Sequence, residues 1–177
     1  MNHWTIYLFI NKTLRIWNRG DYLEVGAGTG LNVRKIEASR KHSVSVHTIP
    51  KPWAGTQYRT DYEGFMAQTD NSYKDKFGVV FLRDWNSENL EQRVKDLLPM
   101  VAPDGMLIID GYDTTGKRNE AWRVAVGLKK RGVPCGTLKD KYLVVYKQDS
   151  APITGKIASR MKRESYIKQA DKLVDRV

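Results

Sequence analysis

Residues 21–30 read DYLEVGAGTG, and this stretch decides which folds the chain can adopt. Its first half, ending at Val25, predicts a short buried strand. Its second half places glycine at every other position, at Gly26, Gly28 and Gly30, which predicts a tight turn. Glycine takes backbone conformations closed to other residues and has no Cβ atom to keep a ligand away. The stretch therefore predicts a strand followed by a turn that a ligand can approach.

The residues after this loop predict a helix that begins at Leu31 and turns Leu31, Val33 and Ile36 inward. The spacing of the glycines differs from the G-x-G-x-x-G fingerprint of dinucleotide-binding loops. No Gly-Lys-Ser/Thr closes the loop, so it is not a Walker A loop either. A glycine-rich surface turn without a ligand is the structural alternative.

Glu24 stands at the end of the predicted strand, and the pattern E-x-G-x-G-x-G resembles motif I of the class I S-adenosylmethionine-dependent methyltransferases. In that family the loop wraps the amino-acid end of the cofactor, and the strand-end acid meets its ammonium group. The resemblance implies S-adenosylmethionine as the cofactor. It implies cofactor-binding roles for Glu24, Gly26, Ala27, Gly28 and Gly30.

The resemblance covers about residues 20–148 and implies an α/β fold. The expected architecture is a Rossmann-like three-layer sandwich with a mostly parallel seven-stranded sheet and an antiparallel last strand. The continuous apolar run Phe77–Leu82 predicts a central strand buried on both faces. Tyr142–Tyr146 predicts the last strand. We expect a methyltransferase-like domain over residues 1–148, with an N-terminal helix over residues 3–18, and a basic, partly helical tail over residues 149–177.

The second predicted strand covers residues 43–49, where β-branched residues alternate with others. In the family this strand ends on an acid that holds the ribose hydroxyls, whereas this chain offers His47 and Thr48. His47 is therefore the candidate ribose ligand, and an ordinary strand-end histidine is the alternative. Further on, Asp61 is expected to cap a helix that begins near Tyr62. The resemblance to class I methyltransferases implies a contact between Asp61 and the adenine, and Asp61 can have either role or both.

Residues 81–86 read FLRDWN and resemble a strand end of the catechol-type O-methyltransferases. There an acid follows the apolar pair, a second acid ends the next strand, and the two hold Mg²⁺, a cation that prefers oxygen ligands. Here Arg83 takes the first acid's position, and Asp84 stands one residue later. Asp84 and Asp110 are the candidate catalytic and metal-binding residues. Arg83 is a candidate cofactor contact, and Trp85 is expected to pack on the adenine or to be structural.

The chain has 177 residues, a formal net charge of +10 and a single cysteine, Cys135. One cysteine excludes an internal disulfide framework and suits a reducing compartment, so we expect a cytoplasmic protein. No apolar run near the start is long enough to span a bilayer, and no signal peptide is expected. The positive charge attracts polyanions, and residues 150–177 alone carry seven basic and three acidic residues.

We expect a methyltransferase that acts on a hydroxyl of a small molecule or sugar. A nucleic-acid methyltransferase and a non-catalytic protein that keeps the fold are the alternatives. The Asp/Asn-Pro-Pro-Tyr/Phe motif is absent after the strand Phe77–Leu82, which argues against amino-methylation of adenine or cytosine. The chain has little room for a substrate-recognition insertion, so completion of the pocket by a second copy or another subunit stays open.

Overall fold

The computed structural model describes residues 5–17, 21–50, 53–83, 89–111, 120–139 and 141–147. Its helices are α1 (Ile6–Trp17), α2 (Tyr62–Met66), α3 (Leu90–Leu97) and α4 (Glu120–Lys130). Its strands are β1 (Asp21–Val25), β2 (Arg40–Val44), β3 (Thr56–Tyr58), β4 (Phe77–Leu82), β5 (Val101–Asp110), β6 (Cys135–Leu138) and β7 (Tyr142–Tyr146). Single 3₁₀ turns occupy Val33–Lys35, Asn71–Tyr73 and Leu98–Met100. The predictions for Asp84, Trp85 and the tail lie outside the described residues.

The seven strands form one sheet in the order β3-β2-β1-β4-β5-β7-β6. The pairs from β3 through to β5 are parallel, and β7 runs antiparallel to both of its neighbours, β5 and β6. This arrangement confirms the predicted fold class, including the antiparallel last strand.

Two layers of helix cover the sheet, because alternate residues of its central strands face opposite sides. Val80 and Leu82 of β4 lie in one core with α2, α3 and α4. Val79 and Phe81 lie in the other core, with α1 and the turn Val33–Lys35. All six residues of β4 are buried, as its continuous apolar sequence predicts. None of the helices among the described residues has the length and apolar character needed to cross a membrane.

The prediction of a helix after the glycine loop is wrong, because only the 3₁₀ turn Val33–Lys35 forms there. The side chain of Asn11, in α1, donates to the carbonyl of Lys35 at 3.0 Å and accepts from the amide of Glu37 at 2.8 Å. These bonds take backbone groups that a longer helix would use within itself. Val33 is buried as expected, whereas Leu31 is 64% exposed.

The second strand also differs from its prediction, since it covers Arg40–Val44 and not residues 43–49. Its parallel register sets Val44 beside Val25, the last residue of β1. Beyond that point the amides of Gly26 and Ala27 donate to the Val44 carbonyl at 3.0 and 3.1 Å, which ends the ladder. His47 therefore lies in the loop after β2, three residues past the strand end.

Candidate functional site

The glycine loop after β1 is bent at all three of its glycines. The φ angles are +78° at Gly26, +55° at Gly28 and +78° at Gly30, in the left-handed region that favours glycine. The loop lies at the carboxyl edge of the sheet, where open α/β sheets place their ligand crevice. The sequence thus uses glycine where this backbone requires it.

Gly28 and Gly30 differ in what surrounds them. A Cβ atom placed on Gly30 would lie 2.6 Å from Cγ2 of Ile49, so Gly30 is needed for packing. A Cβ atom placed on Gly28 would meet no atom within 4 Å, and Gly28 lines an open cleft. The absence of a side chain at Gly28 thus leaves room for a ligand and not for a neighbouring residue.

This cleft, which we call the loop cleft, has a volume of about 310 Å³. The glycine loop, the segment after β2 and the start of α2 form its walls. It contains five of the residues that the sequence predicts to bind the cofactor: Gly26, Gly28, His47, Asp61 and Arg83. Its other lining residues are Val25, Val44, Ser45, Val46, Thr60, Tyr62 and Glu63.

Glu24 lies beneath the loop and is fully buried. The hydroxyl of Tyr22 donates to its Oε2 at 3.1 Å, and Nη1 of Arg83 lies 3.4 Å from its Oε1. Burial raises the pKa of the Glu24 carboxyl to about 7, although the Arg83 charge and the Tyr22 hydrogen bond act in the opposite direction. Glu24 therefore changes its charge near neutral pH.

Arg83 is the cation nearest to this acid among the described residues. Its backbone amide donates to the carbonyl of Val25 at 2.9 Å, which fixes the chain where β4 ends. Its guanidinium reaches Glu24 and, at 3.5 Å, the carbonyl of Ala27 in the loop. The Arg83 side chain is 32% exposed and therefore contacts solvent as well as the buried acid.

The segment after β2 carries no carboxylate over residues 45–50. Ser45 holds this segment against the loop, because its Oγ donates to the carbonyl of Gly28 at 2.9 Å and accepts from the amide of His47 at 3.1 Å. The His47 side chain is exposed and lines the cleft. Val46 beside it is 60% exposed, which adds an apolar surface to the same wall.

Asp61 caps α2, as predicted. Its Oδ1 accepts from the amide of Gly64 at 2.8 Å. Asp61 and Glu63 are the two carboxylates that the described residues contribute to the lining of the loop cleft. Glu63 is mostly exposed and lies 3.3 Å from Nη2 of Arg93.

A second cleft of about 390 Å³, which we call the edge cleft, lies along the same edge of the sheet. Its described lining residues are Thr5, Ile6, Tyr7, Asn32, Arg83, Asp110, Lys139, Lys141 and Tyr142. Arg83 lines both clefts and so lies where they meet. Asp110, a predicted catalytic residue, pairs with Tyr142 in the sheet, and its Oδ1 accepts from the amide of Gly111 at 2.9 Å. Burial, followed by the charge of Asp110, raises the pKa of Tyr142 to about 12.

No protein-family profile and no curated protein sequence matches the chain. Solved structures do. The 1,6-didemethyltoxoflavin-N1-methyltransferase of Burkholderia thailandensis, solved with 1,6-didemethyltoxoflavin and S-adenosylhomocysteine bound, aligns over 80% of this chain and 79% of its own with a TM-score of 0.55 and 14% identity. The chain has the class I methyltransferase fold. Divergence within that fold explains why structure detects a similarity that sequence comparison does not.

Two further structures with this methyltransferase fold differ in the acceptors that their names imply. MycE methyltransferase of the mycinamycin biosynthetic pathway, solved with Mg and S-adenosylhomocysteine, aligns over 81% of this chain and half of its own length, with 12% identity and a TM-score of 0.57. The tRNA (m1A58) methyltransferase TrmI of Aquifex aeolicus aligns over 85% of this chain and 72% of its own, with 9% identity and a TM-score of 0.52. The fold alone therefore leaves the acceptor class undetermined.

Part of the predicted site lies outside the described residues. Asp84 and Trp85 belong to that part, so the pairing of Asp84 with Asp110 stays a prediction. Within the described ranges, no group of three or more histidine, cysteine, aspartate or glutamate residues could hold a metal ion. The predicted Mg²⁺ site is thus represented here by Asp110 alone.

The sequence interpretation missed the wall of the edge cleft formed by Lys139, Lys141 and Tyr142. The direction of β7 is the signal that could have located these residues. The first residues of an antiparallel strand lie at the edge where the parallel strands of a methyltransferase fold end. The residues just before β7 are therefore expected beside Asp110, and that is where they lie.

Proposed function

We propose that this chain is an S-adenosylmethionine-dependent methyltransferase that transfers a methyl group to a hydroxyl of a small molecule or sugar. The observation that carries the proposal is the left-handed, open loop at Gly28, which lies above the buried acid Glu24. Because a Cβ atom at Gly28 would meet nothing, the loop cleft offers the close backbone approach that the cofactor needs. The described residues thus fit the cofactor that the fold implies.

We assign the cofactor-binding residues the roles that the family resemblance implies. The backbone of Gly26 and Gly28 would hold the amino-acid end of the cofactor, and ionised Glu24 would attract its ammonium group. His47 would hold the ribose, and Asp61 would contact the adenine. Trp85 remains a predicted packing contact for the adenine.

The bound cofactor supplies an activated methyl group on a positively charged sulfur, so the chain mainly has to align the acceptor and take its proton. Asp110 lines the cleft next to the loop cleft and is the described carboxylate in position to act as the base. Asp110 would take the proton of the acceptor hydroxyl. Asp84 and Asp110 are also the proposed ligands if Mg²⁺ is used.

The ion pair between Arg83 and Glu24 sets a condition on this function. The ammonium group of the cofactor and the guanidinium of Arg83 both require the same buried carboxylate. Binding therefore needs Glu24 in its ionised form and leaves Arg83 to share it or to turn toward the edge cleft.

The test is binding of S-adenosylhomocysteine, followed by methyl transfer. A ligand that binds only the folded state raises the melting temperature, by an amount set by its concentration and dissociation constant. We expect a rise that saturates with S-adenosylhomocysteine, matched by calorimetric binding at one site per chain. The absence of both would overturn the proposal and favour the non-catalytic alternative, to which the missing acid after β2 points.

A nucleic-acid acceptor is the second candidate, favoured by the net charge of +10. A protein that neutralises phosphates loses affinity steeply as salt rises. Transfer to RNA or DNA with a steep salt dependence, and none to small hydroxyl compounds, would select this candidate.

A further inference from the structure

Glu24 and Arg83 form an ion pair whose two members differ in their access to the loop cleft. Glu24 is fully buried and does not line the cleft. Arg83 does line it, and its side chain is 32% exposed. A ligand in the cleft therefore meets the guanidinium of Arg83 directly, with the charge of Glu24 behind it.

The contacts that hold this guanidinium are long. Nη1 of Arg83 lies 3.4 Å from Oε1 of Glu24 and 3.5 Å from the carbonyl oxygen of Ala27. Hydrogen bonds between charged groups are usually shorter, at about 2.7–2.9 Å. Both contacts use Nη1, so neither engages Nη2 or Nε. The edge of the guanidinium formed by these two nitrogens suits a carboxylate, which it can bind through two hydrogen bonds.

The glycine loop offers few other donors for an anion. The amides of Gly26 and Ala27 donate to the carbonyl of Val44 at 3.0 and 3.1 Å. The amide of Gly30 donates to the carbonyl of Ala27 at 2.9 Å. Three of the five backbone amides of residues 26–30 are therefore already used within the chain.

The charges around the loop cleft favour one place for an anion. Arg83 is the one arginine or lysine among the described residues of its lining. Asp61 and Glu63, at the start of α2, also line the cleft, and their carboxylates repel another carboxylate. An anionic group in this cleft is thus drawn toward Arg83 and away from α2.

An α-amino acid carries its ammonium and its carboxylate on one carbon atom, so a site for it needs opposite charges side by side. Glu24 and Arg83 supply such charges beside the glycine loop. We propose that Arg83 binds the carboxylate at the amino-acid end of the cofactor, while Glu24 behind it attracts the ammonium group. This inference rests on the proposed function. It selects the arrangement in which Arg83 stays beside Glu24 when the cofactor binds.

The experiment removes the charges of the ligand one at a time. S-adenosylhomocysteine carries both charges, 5′-(3-aminopropylthio)-5′-deoxyadenosine keeps only the ammonium, and 5′-propylthio-5′-deoxyadenosine has neither. Calorimetry with the full chain at about pH 8, above the pKa of about 7 of Glu24, measures the three affinities. We expect S-adenosylhomocysteine to bind about tenfold more tightly than the aminopropyl ligand, because only the former can pair with Arg83. Equal affinities of these two ligands would overturn the proposal.

Variants tie this ratio of affinities to Arg83. Arg83→Gln should bring the ratio close to one, because a neutral amide cannot form the charged hydrogen bonds. The loss of Arg83 also favours protonation of Glu24, but this weakens both ligands through the ammonium that they share and leaves their ratio unaffected. Arg83→Lys keeps the charge without the planar fork and should give an intermediate ratio. Arg59→Gln is the matched control, since Arg59 is exposed and adjoins the lining residue Thr60, and it should keep the full ratio.

The outcomes separate this inference from the proposed function. If none of the three adenosine ligands binds, the methyltransferase proposal fails and this inference fails with it. If S-adenosylhomocysteine binds and the tenfold ratio persists in Arg83→Gln, the assignment of Arg83 is wrong and the cofactor proposal stands. If Arg83→Gln does not fold, Arg83→Lys takes its place, and an unchanged ratio in that variant refutes the assignment.

Discussion

Glu24 combines full burial with a cationic neighbour, and burial has the larger effect on its pKa. Between the ordinary pKa of 4.5 and the native value of about 7, the folded chain holds a proton that the unfolded chain has lost. The free energy of unfolding therefore falls as pH rises through this interval, by an amount on the order of 3 kcal/mol for this group. The same titration controls whether Glu24 can attract an ammonium group.

We predict that Glu24→Gln removes most of this loss of stability between pH 5 and about 7. We also predict that S-adenosylhomocysteine binds the unmodified chain more tightly as pH rises through about 7, and that the variant lacks this dependence. Urea unfolding and calorimetry at several pH values measure the two effects. Glu37→Gln, which removes an exposed carboxylate paired with Arg15, is the control. Parallel pH profiles for the unmodified chain and Glu24→Gln would contradict the assignment.

Gly28 and Gly30 allow the ligand role of the loop to be separated from its packing role. Gly28→Ala places a Cβ atom in open space, so we predict a backbone cost of about 1 kcal/mol and a large loss of S-adenosylhomocysteine affinity. Gly30→Ala adds the same methyl group against Ile49 and should lower the melting temperature more. Calorimetry measures the affinity of each variant for S-adenosylhomocysteine, and thermal unfolding measures its stability. Unchanged affinity in a folded Gly28→Ala variant would show that the loop does not hold the cofactor.

At the scale of single residues, the sequence predicts which residues belong to the site better than it predicts which of them contact each other. The loop glycines and Glu24 are recognisable because their spacing follows directly from the backbone they require. The contact between Arg83 and Glu24 cannot be recognised in the sequence, since it joins residues 59 positions apart and depends on where β1 and β4 end relative to each other. Ser45 was missed for a similar reason, because its role depends on a strand that ends earlier than its β-branched sequence suggests.

Among the helices and strands, the sequence predicted well those whose own apolar pattern matches their burial. β4 and β7 are buried throughout and apolar throughout, so their sequence and their environment agree. The helix expected after the loop failed because Asn11, distant in sequence, binds the backbone of the turn Val33–Lys35. A side chain from another helix cannot be inferred from local periodicity.

The element α2 offers a test of the two roles expected for Asp61. Asp61→Ala removes the cap and should cost about 1 kcal/mol, whereas Asp61→Ser keeps a capping oxygen on a shorter side chain. We predict that Ser retains the melting temperature but weakens S-adenosylhomocysteine binding, and that Ala lowers both. Thermal unfolding with and without the ligand measures this. If Asp61→Ser binds S-adenosylhomocysteine with full affinity, Asp61 caps α2 and does not contact the ligand.

At the scale of the whole molecule, the end of the last described strand is tied to the strand beside it. Nζ of Lys147, directly after β7, donates to the carbonyls of Pro99 and Val101 at 2.9 and 2.8 Å and pairs with Asp75. These bonds join the end of β7 to the start of β5, the strand beside it.

We therefore predict that a chain ending at residue 148 folds cooperatively, binds S-adenosylhomocysteine as the full chain does, and methylates its acceptor at an unchanged rate. Removal of residues 149–177 takes away seven basic and four acidic residues and lowers the formal charge from +10 to +7. Binding to RNA should then become weaker and less dependent on salt, because fewer cations remain to release counterions from the phosphates. Thermal unfolding, calorimetry and a salt titration of RNA binding measure the three properties. Loss of transfer with cofactor affinity intact would place the tail in the acceptor site. Loss of folding would show that the first 148 residues are not a domain by themselves.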